Sequence, residues 1–166
     1  MALDIYFLNY SGFMLDDHKR CYVFDYNEDP AGHVTRIANE KRELWFFVTH
    51  VHGDHFRPII GSFKGAKYFL EKDVHLGSIP QSHTYSMAVD DDLTVDGVHV
   101  HMFGSTDAGG SFLVDTGEHT FFHAGDLNWW HWLGDTEANN QEALMFFERE
   151  VERTRGLTAE YVFFPI

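Results

Sequence analysis

Phe46-Phe47-Val48-Thr49-His50-Val51-His52-Gly53-Asp54-His55-Phe56 is an apolar run that ends in three histidines and an aspartate within six positions. Leu44 to Val48 is continuous, apolar and too short for a helix, and so reads as a short buried strand. The histidine-rich residues after Val48 cannot continue such a strand, because three imidazoles and a carboxylate taken out of water need partners. A cation at the strand end would satisfy them. Neutral imidazole and carboxylate are the usual ligands of Zn2+, Fe2+ and Mn2+, and Gly53 frees the turn between them. The competing reading is a polar loop whose histidines are adjacent by chance, in a chain that carries 12 of them.

A chain of 166 residues is expected to form one domain over 1–166. Its 16 Phe, 7 Tyr and 4 Trp predict a thick, aromatic interior. The formal charge of −14 argues against a nucleic-acid partner, which would need a basic face, and against anionic membrane surfaces. A small anionic substrate stays open, because a bound dication reverses the local field. Cys21 is the only cysteine, so no intrachain disulfide and no cysteine-rich zinc ribbon can form. It lies in a strand-like segment as a small core residue. Asp4 and Asn9 interrupt the apolar N-terminus, which lacks a basic leader. No signal peptide or membrane span is expected, and the cytoplasm is the expected location.

In chain order, Leu3–Tyr10, Phe13–Leu15 and Arg20–Phe24 predict a β-meander. Val34–Glu40 predicts a short helix, and Pro58 opens another near Phe63. Ala66–Leu70 is strand-like, and Glu71–Ser86, with Gly77 and Pro80, is mixed. His75 and His83 read as ordinary loop histidines, and Asp90-Asp91-Asp92 as a solvated turn. Leu93–Val95 and Val98–Phe103 pair around Asp96-Gly97. In the second strand Val98, Val100 and Met102 alternate with His99 and His101, which share the outer face. Phe112–Val114 and Thr120–Ala124 form a second hairpin. Asp135 is the expected cap of a helix to about Arg155, with Gly156 as its stop and Leu144, Phe147 and Val151 as its apolar stripe. Tyr161–Phe164 is a last apolar strand.

Three strands end in chemistry. Asp25 comes after Tyr22-Val23-Phe24, the histidine cluster after Trp45–Val48, and Asp126 after Phe121-Phe122. Strand ends on one sheet edge are where a site is assembled from distant sequence. With these residues the chain resembles the metallo-β-lactamase fold superfamily of metal-dependent hydrolases. His50-Val51-His52-Gly53-Asp54-His55 matches its His-x-His-x-Asp-His signature. Asp25 matches the strand-ending aspartate that supports the metal loop, and Phe122-His123-Ala124-Gly125-Asp126 is similar to its later Gly-Asp motif. The resemblance implies an α/β (α+β) fold, a four-layer αββα sandwich with the site at one edge of its two sheets. It also implies that His50 and His52 bind a first metal, that Asp54 and His55 bind a second, and that Asp126 bridges them. Hydroxide between such metals is a nucleophile near neutral pH, and Asp54 would orient that water or pass a proton to the leaving group. Zn2+, as one or two ions, is the expected cofactor, with Fe2+ or Mn2+ as alternatives. His52, where glutamate would stand, disfavours a flavodiiron-like oxidoreductase.

Two departures qualify the resemblance. Gly104-Ser105-Thr106-Asp107-Ala108-Gly109-Gly110 holds Ser105 where a Gly-His-Thr-like loop supplies a histidine. Asp107, Ser105 or His131 are candidates for the missing ligand, and water is another. No histidine comes after His131, so the last part of the C-terminal half is expected to be missing relative to the family. A sheet edge left open in that way invites a homo-oligomer. Trp129, Trp130 and Trp132 either wall a substrate pocket or fill a core. The expected function is hydrolysis of an ester, lactone, amide or phosphodiester of a small molecule. The alternatives are a mononuclear or non-catalytic metal protein of the same fold, or a fragment that needs further C-terminal chain.

Overall fold

The computed structural model describes residues 2–77 and 83–165, and Pro80 lies outside them. The chain divides into two compact units, Met1–Met87 and Ala88–Ile166.

The first unit is a six-stranded sheet. Strands β1 (Asp4–Asn9), β2 (Gly12–Asp16) and β3 (Arg20–Phe24) form the antiparallel meander. Helix α1 (His33–Asn39) then carries the chain back, so that β4 (Glu43–Val48) pairs parallel to β3. A 3-10 turn at Pro58–Ser62 makes the next crossover to β5 (Lys67–Glu71), again parallel. The proline stands at its start, where its missing N–H costs nothing. Strand β6 (Thr84–Met87) closes the order β1-β2-β3-β4-β5-β6. It lies in the stretch read as mixed, because four residues with two aliphatic hydroxyls carry no apolar pattern. Its strand character comes from pairing with β5.

Every side chain of β4 from Leu44 to Val48 is buried, as a parallel central strand requires. Leu44, Phe46 and Val48 pack with Val34 and Ile37 of α1 and with Cys21 and Val23 of β3. On the alternate positions, Trp45 and Phe47 stack on Phe69, with ring centroids 5.3 and 4.8 Å apart. Burying one such aromatic contributes about 1.5–3 kcal/mol. At the N-terminal ends of the strands, Glu43 accepts hydrogen bonds from Arg20 Nε (2.9 Å) and from Lys67 Nζ. Both cations lie over the Trp45 ring. Buried Asp16 pairs with the Arg42 guanidinium.

The second unit is a five-stranded sheet in the order β11-β10-β9-β8-β7. Strands β7 (Asp92–Val95), β8 (Val98–Phe103), β9 (Ser111–Asp115) and β10 (Thr120–His123) run antiparallel as two hairpins. Val98, Val100 and Met102 are buried. His99 and His101 share the opposite face and both bind the Asp92 carboxylate, at 2.7 and 3.1 Å. Helix α2 (Glu137–Arg153) then returns the chain to β11 (Tyr161–Phe163), which pairs parallel to β10. Phe147, Leu157 and Ala159 pack on Phe122, Ala124 and Leu127.

Helix α2 corrects two expectations. Its cap is Thr136, one residue after Asp135: the backbone there is extended, and Oγ1 accepts the Asn139 N–H at 3.1 Å. Asp135 instead accepts from Thr136 N–H and Asn139 Nδ2, both at 2.7 Å. Of its expected apolar stripe, Phe147 packs on the core and Leu144 is half-buried, while Val151 is 38% exposed, and the fully buried residues are Asn140 and Glu150. Strand β11 is one residue shorter than expected and only half-buried, as an edge strand paired on one side. No helix among the described residues is long and apolar enough to cross a membrane.

Thr136→Ala should cost about 1 kcal/mol through loss of the cap, read as a fall in urea midpoint without a change in slope. A second expectation concerns pH. Burial pushes the Glu43 carboxyl up, but Lys67 and Arg20 pull it down further, to about 2. A folded-state value below the ordinary 4.5 means that the contact stabilises the fold above that pH and stops doing so as pH falls toward 2. Glu43→Gln should therefore destabilise by on the order of 1–2 kcal/mol at neutral pH, allowing for solvent screening. Urea titrations at stepped pH should show that difference closing in acid.

Candidate metal centre

In the first unit the donors are set by the parallel register of β3 and β4, in which Phe24 pairs with Phe47. Both strands therefore run out together, with Asp25 leaving one and Thr49-His50 leaving the other. Asp25 is fully buried and adopts φ 45°, a left-handed turn that aspartate tolerates better than most side chains. Its N–H donates to Phe47 O at 2.9 Å. Its carboxylate accepts from both ends of Thr49 and from His55. Thr49 N–H donates to Oδ1 at 2.8 Å, and Thr49 Oγ1 and His55 Nδ1 both reach Oδ2, at 2.8 and 2.9 Å.

This network fixes tautomers. An ionised carboxylate only accepts, so a neutral His55 carries its proton on Nδ1 and presents a lone pair at Nε2. The one hydroxyl proton of Thr49 goes to Asp25. Its oxygen must then accept from His50 Nδ1, 3.0 Å away, which again leaves Nε2 as the lone-pair atom. Orientation of a ligating imidazole by a carboxylate or hydroxyl behind it is the usual support of a metal site. His50 and His55 are buried, with ring centroids 4.1 Å apart. The His52 ring lies 4.6 Å from that of His50 and is exposed. His50 and His52 each bring a ring nitrogen within 4.8 Å of the other's.

His55 and Phe56 donate their N–H groups to His52 O at 3.0 and 2.9 Å, which closes the loop as one tight turn. Gly53 is not required there for space, since a Cβ would meet nothing within 4 Å. What the turn uses is the Gly53 carbonyl, which accepts from Asn27 Nδ2. Asp54 is 55% exposed, and its carboxylate lies 3.7 Å from His55 Nε2.

In the second unit, β10 ends at His123 and Ala124 N–H donates to Phe163 O at 2.9 Å. Gly125 takes φ 56° and turns the chain into Asp126. The β8–β9 loop brings Asp107 alongside, and the two aspartates offer carboxylate oxygens within 4.8 Å of each other. At an effective dielectric of about 20, two such charges repel by roughly 3 kcal/mol, less where water reaches the exposed Asp107. A pair of this kind suits a cation. Ser105 is half-buried and accepts weakly from Asp107 N–H at 3.4 Å. His131 is exposed and packs edge-on to Trp129, with centroids 5.3 Å apart. Among the described residues it does not join the cluster of metal-competent side chains. Trp129 and Trp132 are 42% and 61% exposed, and Trp130 stacks on Trp132.

Sequence reading missed two hydroxyls. Thr49 links Asp25 to His50, and Thr106 links the Asp107 loop to the Asp126 loop, accepting from Asn128 N–H at 2.9 Å. A threonine between an apolar strand and a histidine was the signal that could have found the first. The second had none, because its partner is backbone 22 residues away.

No family model matches the sequence, and no curated protein matches it. Solved structures do match. One is the metallo-β-lactamase of Cronobacter sakazakii, in a HARLDQ motif mutant. It is 12% identical with a TM-score of 0.58, over 95% of this chain and 75% of that one. Igni18, a metallo hydrolase from the hyperthermophilic archaeon Ignicoccus hospitalis, is 14% identical with a TM-score of 0.57, over 75% of this chain and 60% of that one. CmlA, a diiron β-hydroxylase from Streptomyces venezuelae, is 15% identical with a TM-score of 0.50, over 78% and 30%. The chain thus spans less than two thirds of the length of Igni18 and of CmlA. With its two sheets and these likenesses, the chain has the metallo-β-lactamase fold.

Proposed function

We propose that this chain is a metal-dependent hydrolase of small molecules, for which the first unit offers the imidazoles of His50 and His52 and the second the carboxylates of Asp107 and Asp126 as metal ligands. Asp54 and His55 are the donors for a second ion. The observation that carries the reading is the buried Asp25 network, which leaves His50 and His55 with Nε2 lone pairs to donate. Two imidazoles and two carboxylates suit Zn2+, and Fe2+ or Mn2+ fit the same set. A dication there would supply an activated water and polarise the bond to be cleaved.

The protein's own groups do the rest. His50 and His52 bind, and Asp25 holds the orientation of His55 directly and of His50 through Thr49. Asp54, exposed and beside His55, is placed to take a proton from water and return it to a leaving group. The substrate we infer is an ester, lactone, amide or phosphodiester of a small molecule. A charge of −14 argues against a polynucleotide or an anionic membrane. One buried cysteine thiol fits a cytoplasmic setting, and homo-oligomerisation through an edge strand is compatible with the open side of β11. A mononuclear, non-catalytic reading has one observation in its favour, the 55% exposure of Asp54.

Elemental analysis of purified protein should give one or two equivalents of metal, and a panel of p-nitrophenyl esters, lactones and bis(p-nitrophenyl) phosphate should reveal turnover. His52→Ala should abolish both with the circular dichroism unchanged. One equivalent of metal with no turnover across the panel would favour the non-catalytic reading, and no metal at all would sink both. Asp25→Asn places an N–H donor where the network needs an acceptor, and should weaken metal binding by roughly 10–100-fold, measured by competition with a chromophoric chelator.

A further inference from the structure

Asp107 and Asp126 stand on different loops, and their like charges push those loops apart. Asp107 belongs to the connection between β8 and β9, and Asp126 to the loop after β10. The first loop is closely packed at its base. A Cβ at Gly104 would lie 2.1 Å from Glu150 Oε2, and one at Gly110 would lie 2.3 Å from Phe103 O. Glu150 is buried and held by Arg149 Nε at 2.9 Å, and Ser111 Oγ donates to Gly104 O at 3.2 Å. Both ends of the loop therefore lie tight against their surroundings, Gly104 against Glu150 of α2 and Gly110 against Phe103, and its middle has a hold of its own.

That hold is the hydroxyl of Thr106. It accepts Asn128 N–H at 2.9 Å and donates to Asn128 O at 2.7 Å, with Asp126 O as a longer alternative acceptor at 3.2 Å. Thr106 immediately precedes Asp107, and Asn128 comes two residues after Asp126. One half-buried side chain thus ties together, through backbone partners on the far side, the two segments that carry the acidic pair.

We propose that Thr106 is a positioning residue of the metal site, whose hydroxyl clamps the two loops so that Asp107 and Asp126 present their carboxylates as a preassembled pair. The inference rests on the reading of those aspartates as ligands. A clamp that holds like charges together raises affinity for a dication by removing the cost of assembling them on binding. It does little for the metal-free fold, because the repulsion it opposes offsets the hydrogen bonds it makes. Valine keeps the shape of threonine without donor or acceptor, and serine keeps the hydroxyl.

The test uses the full chain, Thr106→Val and Thr106→Ser, with Zn2+ alone as the probe. Affinity comes from competition with a chromophoric chelator, and melting temperature is read in EDTA and at saturating zinc. Thr106→Val should bind Zn2+ about tenfold or more weakly and show a smaller zinc-induced rise in melting temperature, with the EDTA value close to wild type. Thr106→Ser should recover affinity to within about threefold of wild type, its hydroxyl making the same bonds. Wild-type affinity in Thr106→Val, or equal losses in valine and serine variants, would overturn the proposal. So would a fall in the EDTA melting temperature that leaves the zinc-induced rise intact. Failure of the wild-type chain to bind Zn2+ would remove the metal reading and this inference with it. Normal wild-type binding with an unaffected valine variant removes this inference alone.

Discussion

A carboxylate withdrawn from water must be given hydrogen bonds or it will not stay ionised, and Asp25 is that carboxylate here. It receives them from Thr49 N–H, Thr49 Oγ1 and His55 Nδ1. To collect them, the chain must end β3 and β4 at the same level, which the parallel pairing of Phe24 with Phe47 secures. It must also turn Asp25 into a left-handed conformation and fold His52–Phe56 back as a tight loop. The rings of Phe24, Phe47 and Phe69 stack in succession at that end of the sheet, with centroids 4.8 Å apart. The imidazoles inherit their tautomers from this arrangement, so a structural constraint and a chemical one have the same cause.

The second unit reaches its donors differently. Its two acidic side chains are brought within 4.8 Å by loop geometry and a hydroxyl clamp on backbone groups. Neutral nitrogens are oriented by a buried anion in the first unit, and anions by neutral hydrogen bonds in the second. The overall charge of −14 is a separate matter, since most of the acids are solvated and act on solubility rather than on the site.

The strand ends were legible because periodicity breaks there: Phe24 to Asp25, Val48 to His50 and Phe122 to Asp126 each pass from an apolar run to a ligand-competent group. The meander, the two hairpins and α1 come from alternation and turn residues alone. Sequence reading fell short where tertiary pairing decides. Strand β6 has no pattern of its own and is held by β5. The helix cap fell to Thr136 over Asp135 because backbone conformation, set by the preceding loop, chooses between two good cappers. The inward face of α2 carries Phe147 of the expected stripe, but it also buries Asn140 and Glu150, which an apolar stripe could not foretell. Gly53 looked like a steric necessity and serves through its carbonyl.

By itself, the sequence determined which residues can bind a metal and that they stand at strand ends, because donor chemistry and the break in hydrophobic pattern are local properties. It determined equally that no intrachain disulfide can form. Tertiary structure decided which lone pairs those donors offer. The tautomers of His50 and His55 depend on Asp25 and Thr49, the first of which lies 25 and 30 residues earlier in the chain. Tertiary structure also paired Asp107 with Asp126 through Thr106, while leaving His131 beside Trp129. Hydrogen bonds between distant segments are set by register and loop closure, and these exist only once the sheets have formed.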